Sequence, residues 1–438
     1  MVGAMRLRAT EVAEATGGTL SGPDVTVDGA RIDSRLVTGG ELFVALRAER
    51  DGHQYVDAAL DAGAGACLVE QPAGRGTSIV VEDTFVALTE LATRMRSRLP
   101  DRVVGITGSV GKTSTKDLLA AALGRQYRVS ASAKSFNNEL GVPLTVLDTP
   151  DDAEAVVVEM GARGRGHVAS LCAVARPLVG VVTTVGLSHS EFFGTVEDVA
   201  VAKSELVEAL PAQGTAVLNA DVPLVAAMAT RTDARVLTFG LAAGDVRATD
   251  ISLDDDLRPV FNLRTPWGNA GVGLQVRGHH QVGNALAAAA AALACGAGLE
   301  AVAAGLGDAQ LSPWRMELHR APSGALILND TYNANPLSMK AALRALAELP
   351  ALRRTAVLGI MAELGEVGPA EHARIGAIAV DLGIRVIAVD APDYGAETVA
   401  DAGEAMERLG PLTEGDAVLV KGSRAAGLET VAGTLASS

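Results

Sequence analysis

Short apolar, β-branched runs recur along the chain, separated by stretches with helical spacing. Runs at Glu41 to Leu46 and Ala66 to Val69 flank a helical stretch near Val56 to Ala62, which predicts a small α/β unit from Thr10 to about Leu99. A run at Val103 to Ile106 leads through glycines into a helix predicted over Ser114 to Leu123. Further runs at Ala155 to Val158, Val179 to Val185, Ala216 to Leu218 and Val236 to Phe239 are apolar throughout, as buried parallel strands are. Between Asp250 and Val276 the pattern shortens and alternates around Pro259, Pro266 and Gly268, predicting an antiparallel excursion; an alanine-rich buried helix is predicted over Ala285 to Leu299. From Ala325 onward, runs at Ala325 to Leu328, Ala356 to Leu358, Val386 to Val389 and Ala417 to Val420 are each followed by a helical stretch, the pattern of an open doubly wound sheet.

The predicted fold class is therefore α/β in three domains: a small α/β domain over 1–99, a central parallel sheet over 100–311 and a Rossmann-like open sheet over 312–438. The 438 residues exceed what one core holds, at about 150 residues per domain. A formal net charge of -15 argues against a nucleic-acid partner or an anionic membrane surface, both of which favour a basic face. Cys67, Cys172 and Cys295 are far apart and suggest neither a disulfide framework nor a zinc site. Met1 to Gly18 is interrupted by Arg6, Arg8, Glu11 and Glu14, and the alanine-rich stretch is shorter than the ~20 residues of a bilayer span. The expectation is a cytoplasmic protein without membrane insertion.

The strongest chemical signal is Thr107, Gly108, Ser109, Val110, Gly111, Lys112, Thr113, Ser114 between a strand and a helix. Glycines let backbone N–H groups form a concavity, the helix start adds a positive dipole, a lysine reaches terminal phosphates and a hydroxyl suits Mg²⁺. The spacing departs from G-x-x-x-x-G-K-[ST], since Ile106 stands where the first glycine belongs. The central domain is thus expected to resemble a P-loop ATPase. Glu159, just past an apolar run, is either a metal-binding carboxylate or a solvated strand-end acid. His189, in a Ser-His-Ser-Glu turn, is either a metal ligand or a surface histidine. Lys203 falls on the inward stripe of a helix with Val199, Leu206 and Leu210; it snorkels out, pairs with an acid, or loses its proton and becomes open to carbamylation. Asp330 to Pro336 and Lys421 to Arg424 follow strands, and each is a polar turn or a ligand site.

Taken in order, these segments resemble the Mur ligases of bacterial cell-wall synthesis. The likeness spans all three units: Asp33-Ser34-Arg35, Gly40 to Leu46, Asp51-Gly52-His53, the phosphate loop, Phe136-Asn137-Asn138-Glu139-Leu140-Gly141-Val142-Pro143, Val158 to Arg163, Ala202-Lys203-Ser204-Glu205, Trp314-Arg315-Met316-Glu317, Tyr332-Asn333-Ala334-Asn335-Pro336, Glu363 to Glu366 and Lys421 to Arg424. The resemblance implies ATP-dependent joining of D-alanyl-D-alanine to UDP-N-acetylmuramoyl-tripeptide by a monomer. It implies ATP on Gly108, Ser109, Val110, Gly111, Lys112, Thr113 and Ser114, with Asn284, Arg315 and Asp330 at adenine, phosphate and ribose. It further implies two Mg²⁺ ions held by Thr113, Glu159, His189 and carbamylated Lys203. Ser34 and Arg35 would lie near the uridine diphosphate, with Asn137, Asn138, Tyr332 and Asn335 as further substrate contacts. Thr184 and Gln281 stand where the family usually has asparagine, and Asn329 and Ile360 where it usually has aspartate. A sibling ligase or a folate polyglutamate ligase is the alternative, although the Asp-Asn-Pro-Arg signature of the diaminopimelate- or lysine-adding sibling is absent.

Overall fold

A computed structural model describes residues 4–186 and 193–437. Among the described residues a five-stranded sheet runs in the order Thr19–Ser21, Ser78–Val80, Ala66–Val69, Leu42–Val44 and Ala30–Arg31. The strand predicted over Glu41 to Leu46 is shorter, because Glu41 turns back to accept hydrogen bonds from Thr38 and Gly39.

A nine-stranded sheet follows, ordered Gly268–Gly273, Pro259–Thr265, Val246–Leu253, Arg235–Gly240, Thr215–Asn219, Val179–Val182, Val103–Thr107, Ala155–Glu159 and Val129–Ala131. The six strands from Val129–Ala131 to Arg235–Gly240 are parallel, and the antiparallel excursion forms one edge. Their interior is valine-rich because both faces are covered. The alanine-rich helix is His280–Ala294, earlier than its composition suggests, and a second helix, Leu299–Asp308, takes up the predicted end. In the alanine-rich helix nine residues from Val282 to Ala292 are fully buried: small side chains let it lie close against Lys112–Gly124 and the sheet.

Besides a two-stranded pair, Arg6–Arg8 with Thr26–Asp28, a six-stranded sheet is ordered Glu317–Arg320, Leu326–Asn329, Asp416–Lys421, Arg353–Leu358, Arg385–Val389 and Glu397–Val399. It is parallel apart from the antiparallel edge strand Glu317–Arg320. One apolar cluster is continuous from Met5 and Leu88 in the first sheet's layer to Val158 and Leu206 under the second. Arg96, buried there, donates to the Arg176 carbonyl (3.1 Å), and Arg31 meets Asp148 at 2.9 Å. The last sheet has its own clusters, to which the excursion contributes Leu257 and Leu253. No described helix is long and apolar enough to cross a membrane.

Candidate active site

Strand order brings the predicted residues together. Val103–Thr107 lies between Ala155–Glu159 and Val179–Val182, with Ile106 opposite Glu159 and Thr107 opposite Val182. The chain lays down the middle strand first and its neighbours later on either side, so the loops beyond their carboxyl ends diverge and leave a crevice. A cleft of about 960 Å³ opens there, lined by the glycine loop, Asn137, Asn138 and Glu159, by Arg315, Asp330, Tyr332 and Asn335 from the last third of the chain, and by Ile32 from the first.

Gly108 and Gly111 have φ of +150° and +88°, and a Cβ would strike the Thr183 hydroxyl at the first and the Asn284 amide at the second. Only glycine fits either position. Gly111 starts the helix, which begins at Lys112, two residues before its predicted start, so its free N–H groups open into the cleft. The Ser109 N–H donates to the Thr184 carbonyl (2.9 Å) and the Thr183 hydroxyl to the Val110 carbonyl (2.6 Å), which ties the loop to the neighbouring strand end. That strand stops at Val182, short of the predicted Val185, because residues 183–186 turn to make these bonds. The half-buried Lys112 ammonium folds back onto the Gly108 carbonyl (2.8 Å). Burial pushes its pKa below the ordinary lysine value, against the pull of Glu159.

Glu159 is the last residue of its strand and only 1% exposed, which corrects the solvated reading. Its Oε2 accepts from the Thr113 hydroxyl (2.8 Å) and its Oε1 from Asn137 Nδ2 (2.9 Å). The Asn137 turn covers it and is pinned by the Gly161 N–H (2.7 Å). Lys203 is 2% exposed, so it does not snorkel; the helix Val196–Glu208 turns it under the sheet. Burial drives its pKa well below the ordinary lysine value, and the charge of Lys112 adds to this. No described carboxylate forms an ion pair with it. Such an amine suits carbamylation, which needs the neutral form. His189 lies outside the described residues.

Across the cleft, Asp330 Oδ2 accepts from Lys421 Nζ at 2.6 Å and Asp330 Oδ1 from the Met316 N–H at 3.1 Å. Arg315 lies over the Tyr332 ring at 4.1 Å and donates from Nη2 to Ser135 Oγ (3.2 Å), while its buried Nε has no partner among the described residues, a donor left for an anion. Trp314 and Met316 on either side are left-handed, at φ +64° and +54°, a strained backbone that turns Arg315 inward. Asn335 caps the helix Pro336–Glu348, its Oδ1 accepting from the Ser338 N–H (2.9 Å).

Residues 106–292 match the Mur ligase middle domain, and residues 314–424 match the Mur ligase glutamate ligase domain. The UDP-N-acetylmuramoyl-tripeptide--D-alanyl-D-alanine ligase of Mycobacterium tuberculosis is 40% identical, covering 98% of each chain, and that of Escherichia coli is 37% identical, covering 96% of each. The chain belongs to the Mur ligase family. MurF from Acinetobacter baumannii shares the architecture at a TM-score of 0.89, with 31% identity over 99% of each chain. MurF of Thermotoga maritima, solved in complex with ADP, gives a TM-score of 0.82 at 29% identity, covering 93% of this chain and 97% of that one.

In this Mur ligase Ser34 and Arg35 do not line the cleft; Arg35 is exposed and paired with Asp33 at 2.7 Å. Four residues escaped the sequence reading. Ser135 bridges Thr113 (3.1 Å) and Arg315. Lys116, 3% exposed, donates to the Ser132 and Lys134 carbonyls and supports the turn beneath the loop. Its spacing of four residues from Lys112 was the available signal. His280 lines the cleft with its ring pushed down to about 4 by burial, with Lys421 adding and Asp330 opposing. His167 accepts the Arg163 N–H at Nδ1 (3.1 Å), so Nε2 carries the proton shared with Glu139 (3.0 Å). The cleft's lining holds five basic side chains, Lys112, Arg163, Arg315, Lys421 and Arg424, against the three acids Glu159, Asp330 and Glu363. A chain of charge -15 thus presents a cationic crevice, as polyanionic substrates require.

Proposed function

We propose that this Mur ligase joins D-alanyl-D-alanine to UDP-N-acetylmuramoyl-tripeptide, spending ATP, as a cytoplasmic monomer in peptidoglycan precursor synthesis. The observation that carries the reading is one cleft that faces a glycine phosphate loop and the buried Glu159 toward the polar strand ends of a second sheet, in a chain whose full-length relatives bear that ligase's name.

The tripeptide carboxylate attacks the γ-phosphorus of ATP, giving an acyl phosphate and ADP. The neutral amine of the dipeptide then attacks the acyl carbon, phosphate leaves with the bonding pair, and the amine gives up its proton. Two anions must meet in the first step, and Lys112 and Arg315 offset their repulsion. The backbone N–H groups between Gly108 and Ser114 orient the phosphates, and Asn284, Arg315 and Asp330 hold adenine, phosphate and ribose. Thr113 and Glu159, with His189 and carbamylated Lys203, would hold Mg²⁺, which supplies charge neutralisation at the transferred phosphoryl group. Residues 1–99 bind the nucleotide-sugar peptide with Ser34 and Arg35, residues 100–311 bind ATP, and residues 312–438 bind the dipeptide. Asn137 and Asn138 meet the tripeptide end, and Tyr332 and Asn335 the dipeptide side.

Incubation with ATP, Mg²⁺, the UDP-tripeptide and a panel of amino acids and dipeptides tests this. The expected product is the UDP-pentapeptide with one ADP per peptide bond. ADP release without a peptide product, or preference for a single amino acid, would overturn it.

A further inference from the structure

We infer that Arg424 anchors the C-terminal carboxylate of the incoming dipeptide. This rests on the ligase reading above and assigns the residue that makes the second substrate a dipeptide acid.

Of the cleft's basic side chains, Lys112 is bound to the phosphate loop, Arg315 reaches Ser135 beside that loop, Lys421 is neutralised by Asp330, and Arg163 follows the Glu159 strand end on the phosphate-loop side of the cleft. Arg424 differs from these. No described carboxylate forms an ion pair with it, it is exposed to the cleft, and its guanidinium lies over the Trp314 ring at 4.8 Å. Stacking fixes the plane of the guanidinium and leaves its edge N–H donors free, the geometry that takes a carboxylate in two parallel bonds.

Its base is rigid as well. Arg424 follows the strand Asp416–Lys421 through Ser423, which is 5% exposed. The Ser423 N–H donates to the Ile360 carbonyl (2.9 Å) and its Oγ accepts from the Ala362 N–H (2.9 Å). Arg424 therefore stands at the carboxyl ends of the last sheet's strands, apart from the cations that meet phosphate. An extended dipeptide spans roughly 7 Å from amine to carboxylate. With the amine at the activated carboxyl near Lys112, the far end needs a cation on the opposite wall. Among the described residues Arg424 is the unpaired one there.

Steady-state kinetics of the full-length enzyme with D-alanyl-D-alanine and with its C-terminal amide test the assignment, in wild type, Arg424→Gln and Arg424→Lys. Wild type should prefer the acid over the amide by about ten- to a hundredfold in kcat/KM, the effect of one charge-assisted contact. Arg424→Gln should lose that factor on the acid alone, with KM for ATP and for the UDP-tripeptide within about twofold of wild type; Arg424→Lys should fall between. Retention of the acid preference in Arg424→Gln, or a parallel rise in KM for ATP, overturns the inference while leaving the ligase reading intact. A wild-type enzyme that forms no peptide overturns both.

Discussion

Replacing Lys203 by methionine separates the chemistry of its amine from the packing of its stem. The side chain is 2% exposed, and burial with the nearby Lys112 charge drives its pKa well below the ordinary lysine value. Below the folded pKa the ammonium is charged in both states, and the folded protein bears the full cost of burying it. From that pKa up to about 10.4 the unfolded chain binds more protons, so stability climbs with pH; above it the cost is gone. Each unit of depression costs about 1.4 kcal/mol. Methionine keeps much of the volume, and repacking should cost less than about 1.5 kcal/mol. We therefore predict that Lys203→Met in CO₂-free buffer is at least as stable as wild type near pH 7, and that its advantage shrinks steadily as pH approaches 10. Its ligase activity should be lost. Denaturant melts across pH, ligase assays, and ¹³C NMR with labelled bicarbonate, in which only wild type should show a carbamate carbon, are the measurements. A mutant as active as wild type would end the carbamate role. A stability deficit of several kcal/mol that does not change with pH would refute the argument that a buried amine is the costly group.

Gly108→Ala places a methyl against the Thr183 hydroxyl at a φ that alanine rarely adopts, so ADP binding by calorimetry should weaken at least tenfold; unchanged binding would mean the loop gives way. Asp330→Asn or Lys421→Met alone leaves one buried charge without its partner and should cost about 3–5 kcal/mol in denaturant melts, with the double replacement costing clearly less than the sum. His280 should stay neutral in the folded protein down to about pH 4, so the ring titrates by NMR near that value and stability falls between pH 6.5 and 4 as the unfolded chain takes up a proton that the folded one refuses. A ring titrating near 6.5 would refute its burial.

The phosphate loop was legible because its glycines, lysine and hydroxyls work through the local backbone, and strand, loop and helix are contiguous in sequence. Glu159 and Lys203 were legible as positions but not as environments. What buries Glu159 is the Asn137 turn, 22 residues away, and what covers Lys203 is a sheet assembled from distant strands. Ser135, which joins Thr113 to Arg315, gave no signal because a serine acquires meaning only from what stands beside it. Strand ends drifted where side chains or loops took over the backbone's partners, as at Glu41 and at residues 183–186. The alanine-rich helix began earlier than expected because its first turn, His280 to Asn284, faces the cleft and carries polar residues.

The apolar cluster that runs from Met5 to Leu206 has a consequence for how the chain can be divided. A cut near Pro100 would split one continuous interior and strand Arg96 away from the carbonyl it caps, so neither piece would keep a sealed core. A cut near Leu311 would leave that cluster whole, crossing among the described residues Leu253, Leu257, Leu337 against Gly186, and the turns around Ser312 and Arg315. The second junction is therefore where a fragment-complementation pair should be divided, and where this architecture could exchange its last third with least damage to the rest.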